Sequence, residues 1–467
     1  MNLGRIDTIL PASTAVIATV ALAVWLGGSG VHGLPLRVPE EPQEAEAEPA
    51  RPIAETGEHR ATGLEPPVLP GSWPRFRGAD FDNVADDSPP LARSWPPDGP
   101  PVLWSREVGE GHAGVAIREG RVYITDFDAD RRRDVIRCLS LEDGRDVWSF
   151  SYPTDVRRKY GMSRTVPAVS EKYLVSIGPM CQVVCVDTPT GEFRWAIDLV
   201  REFGTKVPSW YTGQCPLIDN GRAILAPGGE GALMIAVDCE SGDVVWQTPN
   251  PNNWKMTHSS IVPAEIGGER VYLYPSGGGL GAVSAETGEL LWADPTWRVT
   301  FANVPCPVPL GDGRIFLSGG YGGVGSRMIR VTRREEGYRV ETLFRLKEQE
   351  FSAEQHTPVY FDGHLYGVIV GGRLVCLHPS GRIAWTTERS NRFGTGRGPY
   401  LIADGLLFLL TNTGELVLVE ATGGGYTELD RATIFRAKQA FGPMAIAGGR
   451  LICRDETTLK CLGVRRK

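Results

Sequence analysis

After residue 100 the hydrophobic positions of this chain fall into short runs led by a turn residue: "EGRVYI" at Glu119, "EKYLVSI" at Glu171, "NGRAIL" at Asn220, "GERVYL" at Gly268, "DGRIFL" at Asp312, "DGHLYGVI" at Asp362, "DGLLFLL" at Asp404 and "GGRLIC" at Gly448. A short apolar run bounded by Gly and Asp predicts a buried strand. A second phrase follows most of them: "CLSLEDGRDVW" from Cys138, "CVDTPTGEFRW" from Cys185, "AVDCESGDVVW" from Ala236, "AVSAETGELLW" from Ala282 and "CLHPSGRIAW" from Cys376. Each ends with Gly four residues before Trp, at Gly144–Trp148, Gly191–Trp195, Gly242–Trp246, Gly288–Trp292 and Gly381–Trp385. The interval from Trp292 to Trp385 is twice the usual step, and "MIRVTRREEGYRVETLF" from Met328 fills it as a degraded copy.

A third signal precedes each unit, a strand carrying Pro, as in "TVPAV", "QCPLI", "PCPVP", "HTPVY" and "RGPYL". The unit therefore has four short strands in roughly 40–50 residues, which is a propeller blade. The eight runs predict an all-β, eight-bladed propeller of four-stranded antiparallel blades. The last unit stops after "LKCLGV" without a Trp strand, while "PVLWSREV" around Trp104 is an orphan copy of one. The N-terminal strand is expected to complete the last blade, which leaves no open edge. Trp104, Trp148, Trp195, Trp246, Trp292 and Trp385 are expected to pack between neighbouring blades as structural docking residues.

Before the repeat the pattern changes. Residues 9–26, "ILPASTAVIATVALAVWL", carry no charge and are long enough for a short membrane span. A signal peptide and an anchor both fit, and the lack of a clear Ala-x-Ala site favours the anchor. Pro35 to Pro70 is rich in Pro and Glu, a composition that does not offset ordering entropy, and is expected as a disordered tether. The expected organisation is 1–30 as anchor or signal segment, 31–98 as linker and lead-in, and 99–467 as propeller. The propeller is expected on the outer, periplasmic side of a bacterial cytoplasmic membrane, held by residues 9–26, or secreted if that segment is cleaved.

Composition narrows the function. The 57 Gly and 35 Pro suit a turn-rich β chain, and the net charge of -7 with scattered basic residues excludes a nucleic-acid surface. Cys138, Cys185, Cys376 and Cys461 share one repeat position, and Cys215 and Cys306 share another, so they are expected as small buried residues rather than as a metal site.

The Ala/Cys-Val-Asp-x-x-Thr-Gly-x-x-x-Trp phrase resembles the repeat of the PQQ-like propellers, a superfamily that includes BamB-like outer-membrane assembly proteins and, more distantly, quinoprotein alcohol dehydrogenases. The resemblance runs from about Trp104 to the C-terminus. The segment "SWPRFRGADFDNV" at Ser72 resembles the lead-in of a group of such proteins. In the dehydrogenases the resemblance implies PQQ under a vicinal Cys-Cys disulfide, with calcium on a Glu/Asn pair. This chain has no adjacent cysteines. BamB-like lipoproteins carry a lipobox Cys near the start, whereas the first Cys here is Cys138.

The residues just before the Pro of each inner strand should converge on the central channel. They are His112, Arg164, Gln214, His258, Asn303, His356 and Arg397, polar where a core strand would be apolar. Tyr160, Trp210, Tyr211, Trp254, Trp297, Phe301 and Phe393 lie just upstream. A polar funnel with aromatic walls suits a small ligand or peptide loop, and a water-filled channel is the plainer reading. The sequence thus favours a monomeric, non-catalytic binding propeller of the envelope, with proteins or peptide segments as partners and no cofactor. The alternative is a PQQ- and calcium-dependent oxidoreductase.

Overall fold

Eight antiparallel sheets follow one another along the chain, one for each turn-led run. They appear in a computed structural model that describes residues 51–156, 161–388 and 393–466. The apolar stretch 9–26 and the expected tether as far as residue 50 lie outside the described residues. Blade 1 runs from its inner strand Val115–Arg118 through Arg121–Asp128 and Arg133–Ser140 to its outer strand Asp146–Pro153. Blades 2 to 8 begin at Ala168, Leu217, Val262, Val308, Val359, Tyr400 and Ala445. The degraded copy is blade 5, with its outer hairpin at Gly325–Arg334 and Gly337–Leu346. Val102–Glu107 pairs with Thr458–Gly463, placing Trp104 opposite Cys461, so the orphan strand is the outer strand of blade 8.

The repeat has a geometric cause. Opposite each outer-strand Trp on the third strand stands a small residue: Cys138 faces Trp148, Cys185 faces Trp195, Ala236 faces Trp246, Ala282 faces Trp292 and Cys376 faces Trp385. The register slips immediately after each small residue, a bulge that increases local twist. The Trp then reaches the next blade. Trp104 Nε1 donates to Leu141 O at 3.0 Å, Trp148 Nε1 to Thr188 O at 3.2 Å, Trp195 Nε1 to Cys239 O at 2.9 Å and Trp385 Nε1 to Thr422 O at 2.8 Å.

The glycines do more than turn. Gly144 and Gly242 hold φ of 75° and 81°, and a Cβ on either would lie 2.8 Å from the ring of Trp104 or Trp195 of the preceding blade. In the degraded blade Phe344 takes the Trp position, over Gly381. Trp104, Trp148, Trp195, Trp246 and Trp292 are buried, and Trp385 is half-buried. The apolar core is accordingly a series of clusters between blades. Tyr123 and Trp148 of blade 1 meet Leu174 and Val184 of blade 2, and Phe316 and Met328 of blade 5 meet Leu365 and Val375 of blade 6.

The Pro- and Glu-rich stretch is not a free tether throughout. From Pro52 it lies along the blades: Glu58–Ala61 pairs with Asp146–Pro153 as a fifth strand of blade 1, and Thr62 N donates to Val147 O at 2.9 Å. Composition argued against order because the segment has little apolar surface of its own. It borrows an existing sheet edge, and Ile53 and Leu64 pack against the Trp148 cluster.

Candidate functional site

The inner strands start at one end of the channel. Proline at the strand entrance fixes the chain direction and restricts the residue before it. The strand starts are also stitched around the ring. Val166 N donates to Cys215 Sγ at 3.2 Å, Cys215 N to Ser260 Oγ at 2.9 Å, Ser260 N to Cys306 Sγ at 3.4 Å and Cys306 N to Thr357 Oγ1 at 2.9 Å. This belt joins blades 2 to 6 and gives Cys215 and Cys306 a role beyond small size: each thiol accepts a backbone donor.

The belt sets the register of the residues above it. Five of the seven expected channel residues, His112, Arg164, His258, His356 and Arg397, surround one cavity of about 380 Å³. Gln214 and Asn303 do not line it. Gln214 is turned into the wall, where its amide donates to Ala226 O at 3.1 Å and its carbonyl accepts from Ala226 N at 3.0 Å. Asn303 Nδ2 donates to Pro275 O at 3.2 Å. Both are spent on buried backbone of the strand ends rather than on the channel.

Of the expected aromatics, Trp210 and Phe301 reach the cavity. Tyr211, Trp254, Trp297 and Phe393 are buried in blade packing, and Tyr160 lies outside the described residues. Sequence reasoning missed Phe76, Tyr321 and Phe441. The mouth carries an aromatic arc across several blades. The rings of Trp210 and His258 lie 6.2 Å apart, Trp210 and Phe301 5.1 Å, and Phe301 and Tyr321 5.6 Å, while the Arg397 guanidinium lies 5.8 Å from the Tyr321 centroid. Phe301 is 61% exposed, a large apolar side chain held at the opening.

The opposite end is closed by the lead-in. Trp73 exchanges backbone bonds with Ile117 of blade 1 at 2.8 Å, Pro74 O accepts from Val169 N of blade 2, and Asn83 O accepts from Ile402 N of blade 7. Val84–Ala85 then pairs in parallel with Tyr400–Ala403. The segment thus crosses the channel from blade 1 to blade 7, and its Phe76 lines the cavity. No signal in the repeat could have found it, because the lead-in is not part of the repeat.

The ionisable groups lining the cavity include two guanidinium groups and three imidazoles. Burial pushes His112 down to about 3, aided by Arg164 and then Arg454. Burial brings His258 down to about 4, aided by Arg164. Burial does the same to His356, against the backbone of Phe441 and Arg397. All three imidazoles are neutral at pH 7, each able to donate once and accept once. Arg397 makes a forked ion pair with the buried Glu354, at 2.6 and 3.3 Å.

Among the described residues no carboxylate lines the cavity, and the nearby acid Glu354 is committed to Arg397. The lining thiol, Cys215, is pushed up to about 12 by burial and already accepts Val166 N, so it is not an activated nucleophile. Among the described residues no three His, Cys, Asp or Glu are grouped to hold a metal ion. The two arginines could pair with quinone carboxylates, but the donor set does not fit a calcium-bound PQQ. All nine cysteines are free and buried.

Ring and repeat together define an eight-bladed β-propeller. A family described as "Outer membrane protein assembly factor BamB" matches residues 132–344, from blade 1 into the outer strand of blade 5. Among solved structures, BamB from Moraxella catarrhalis aligns with a TM-score of 0.53 at 12% identity, covering 78% of this chain and 99% of that one. Quinohemoprotein alcohol dehydrogenase from Comamonas testosteroni aligns with a TM-score of 0.48 at 12% identity, over 85% and 81%. A europium-containing methanol dehydrogenase aligns at 0.48 and 11%, over 82% and 89%. At 12% identity the likeness to the Moraxella protein is one of fold. No curated protein matches the chain by sequence.

Proposed function

We propose that this protein is a non-catalytic binding propeller of the bacterial cell envelope, which offers its channel mouth to a protein segment. The observation that carries this reading is the cavity chemistry: neutral imidazoles and guanidinium groups beneath an exposed aromatic arc, with no lining carboxylate and no activated nucleophile among the described residues. Such a surface suits the polar backbone and apolar side chains of a docked peptide. The likeness to an assembly factor of the outer membrane points the same way. The Trp–Gly contacts serve as blade docking that keeps the mouth rigid. Residues 9–26 would hold the propeller at the cytoplasmic membrane, facing outward. Among the described residues no helix is long and apolar enough to cross a membrane.

The test is photocrosslinking in membranes from a probe at Phe301. Envelope proteins should be recovered, and recovery should fall several-fold when His258, His356 and Arg397 are all replaced by Ala in a chain whose melting is cooperative. Turnover of alcohols or sugars by protein loaded with PQQ and calcium, together with unchanged crosslinking in the triple variant, would overturn the proposal in favour of an oxidoreductase.

A further inference from the structure

The lead-in that closes the channel carries a buried charge with no hydrogen-bonded counterpart. Arg77 is 2% exposed, yet its Nε and Nη1 meet no acceptor. Its neighbours are already committed. Tyr400 donates its hydroxyl to His356 O at 3.0 Å, and Cys306 Sγ accepts Ser260 N. Asp82 accepts Val84 N at 2.9 Å and makes no contact ion pair with Arg77, although its charge still acts on the guanidinium.

The backbone is shaped to put the side chain there. Arg77, Phe81 and Asn83 hold φ of 65°, 60° and 64°, a region that non-glycine residues seldom occupy. Asn83 N donates to Arg77 O at 3.0 Å and closes the loop on itself. Strain of this kind persists only where the surroundings impose it, and it clusters at ligand clamps.

A guanidinium does not shed its proton in a protein. Burial lowers the Arg77 pKa, and Cys306, Asp82 and Tyr400 only partly oppose it. A buried charge left uncompensated is strongly destabilising. Water can satisfy the donors but brings no opposite charge. We infer that Arg77 anchors a small monovalent anion of halide or carboxylate size, buried at the closed end of the channel, which fastens the lead-in to the ring. The planar fork of the guanidinium suits such an anion, and a lysine would hold it as a point charge only.

Bromide is the probe. The full chain is unfolded in urea at constant ionic strength while bromide replaces gluconate, an anion too large for a buried site. Beyond saturation, each tenfold rise in bromide should lower the unfolding equilibrium constant about tenfold. Arg77→Met should abolish this dependence, and Asp82→Asn, by removing the competing carboxylate, should move half-saturation to lower bromide. If Arg77→Met does not fold, Arg77→Lys should move half-saturation to higher bromide. No bromide dependence in the parent chain, or one unchanged in these Arg77 variants, overturns the inference.

Discussion

Replacing Gly242 by Ala tests the contact on which the ring repeat rests. Gly242 sits at φ 81°, and an added Cβ would lie 2.8 Å from Cγ of Trp195 in the preceding blade. A side chain forced into the left-handed region costs about 1–2 kcal/mol, and overpacking a close contact about 1–3 kcal/mol more. Gly242→Ala should therefore cost about 2–5 kcal/mol. Trp195→Ala should cost about 3–5 kcal/mol, since it empties a buried site and leaves Cys239 O, which accepts the indole N–H at 2.9 Å, with only the weak Cys185 thiol donor. In the double variant the clash has gone, so Gly242→Ala should cost only its backbone part, giving a coupling of about 1–3 kcal/mol. Gly221 of the same blade is the control: its φ is 74° and a Cβ there meets nothing within 4 Å. Guanidinium unfolding midpoints at unchanged m give all the values. If Gly242→Ala costs no more than Gly221→Ala, or costs the same with and without the indole, the docking argument fails.

Two further predictions concern the cavity and its belt. Unfolded His258 charges near pH 6.5 but the folded one only near 4, so the unfolded chain binds the extra proton in that window and stability is lost as pH falls through it. His258→Gln should shrink the loss in unfolding midpoint between pH 7 and pH 5, and an undiminished loss counts against a buried neutral imidazole. Cys306→Ala leaves Ser260 N without its acceptor and should cost about 1–3 kcal/mol, while Cys306→Ser, which keeps an acceptor, should cost less in the same chemical melts. Equal costs would remove the thiol from the belt.

The fold was legible because the same steric problem is solved in blade after blade. Each Trp has a small residue opposite, and Trp104, Trp148, Trp195 and Trp246 lie over a glycine of the next blade, so Cys/Ala, Gly and Trp recur at fixed spacing. Blade 5 escaped the phrase because Phe344 does the work of Trp, with Met328 rather than Cys or Ala opposite it. The site was legible only in part. Position before the inner strand predicts nearness to the channel, and it brought five residues together. It does not predict where a side chain turns, and Gln214 and Asn303 turned to strand backbone. Phe76 and Arg77 were beyond reach, since what they touch depends on a lead-in that crosses between distant blades. Composition likewise misjudged residues 52–70, whose order comes from the edge of blade 1.

The pairing of Val102–Glu107 with Thr458–Gly463 also sets a timetable. The strand around Trp104 is made early, and its partner leaves the ribosome roughly 350 residues later. At about 5–20 residues per second the interval is on the order of tens of seconds. Throughout it the Trp104 strand has no sheet to join, and the ring stays an open arc with two adhesive edges. If the chain is threaded across a membrane, the arc cannot shut until Thr458–Gly463 has crossed. Loss of either strand should therefore produce the same lesion, an unsealed eighth blade, and nascent chains of this kind should depend on holding factors until Thr458–Gly463 arrives.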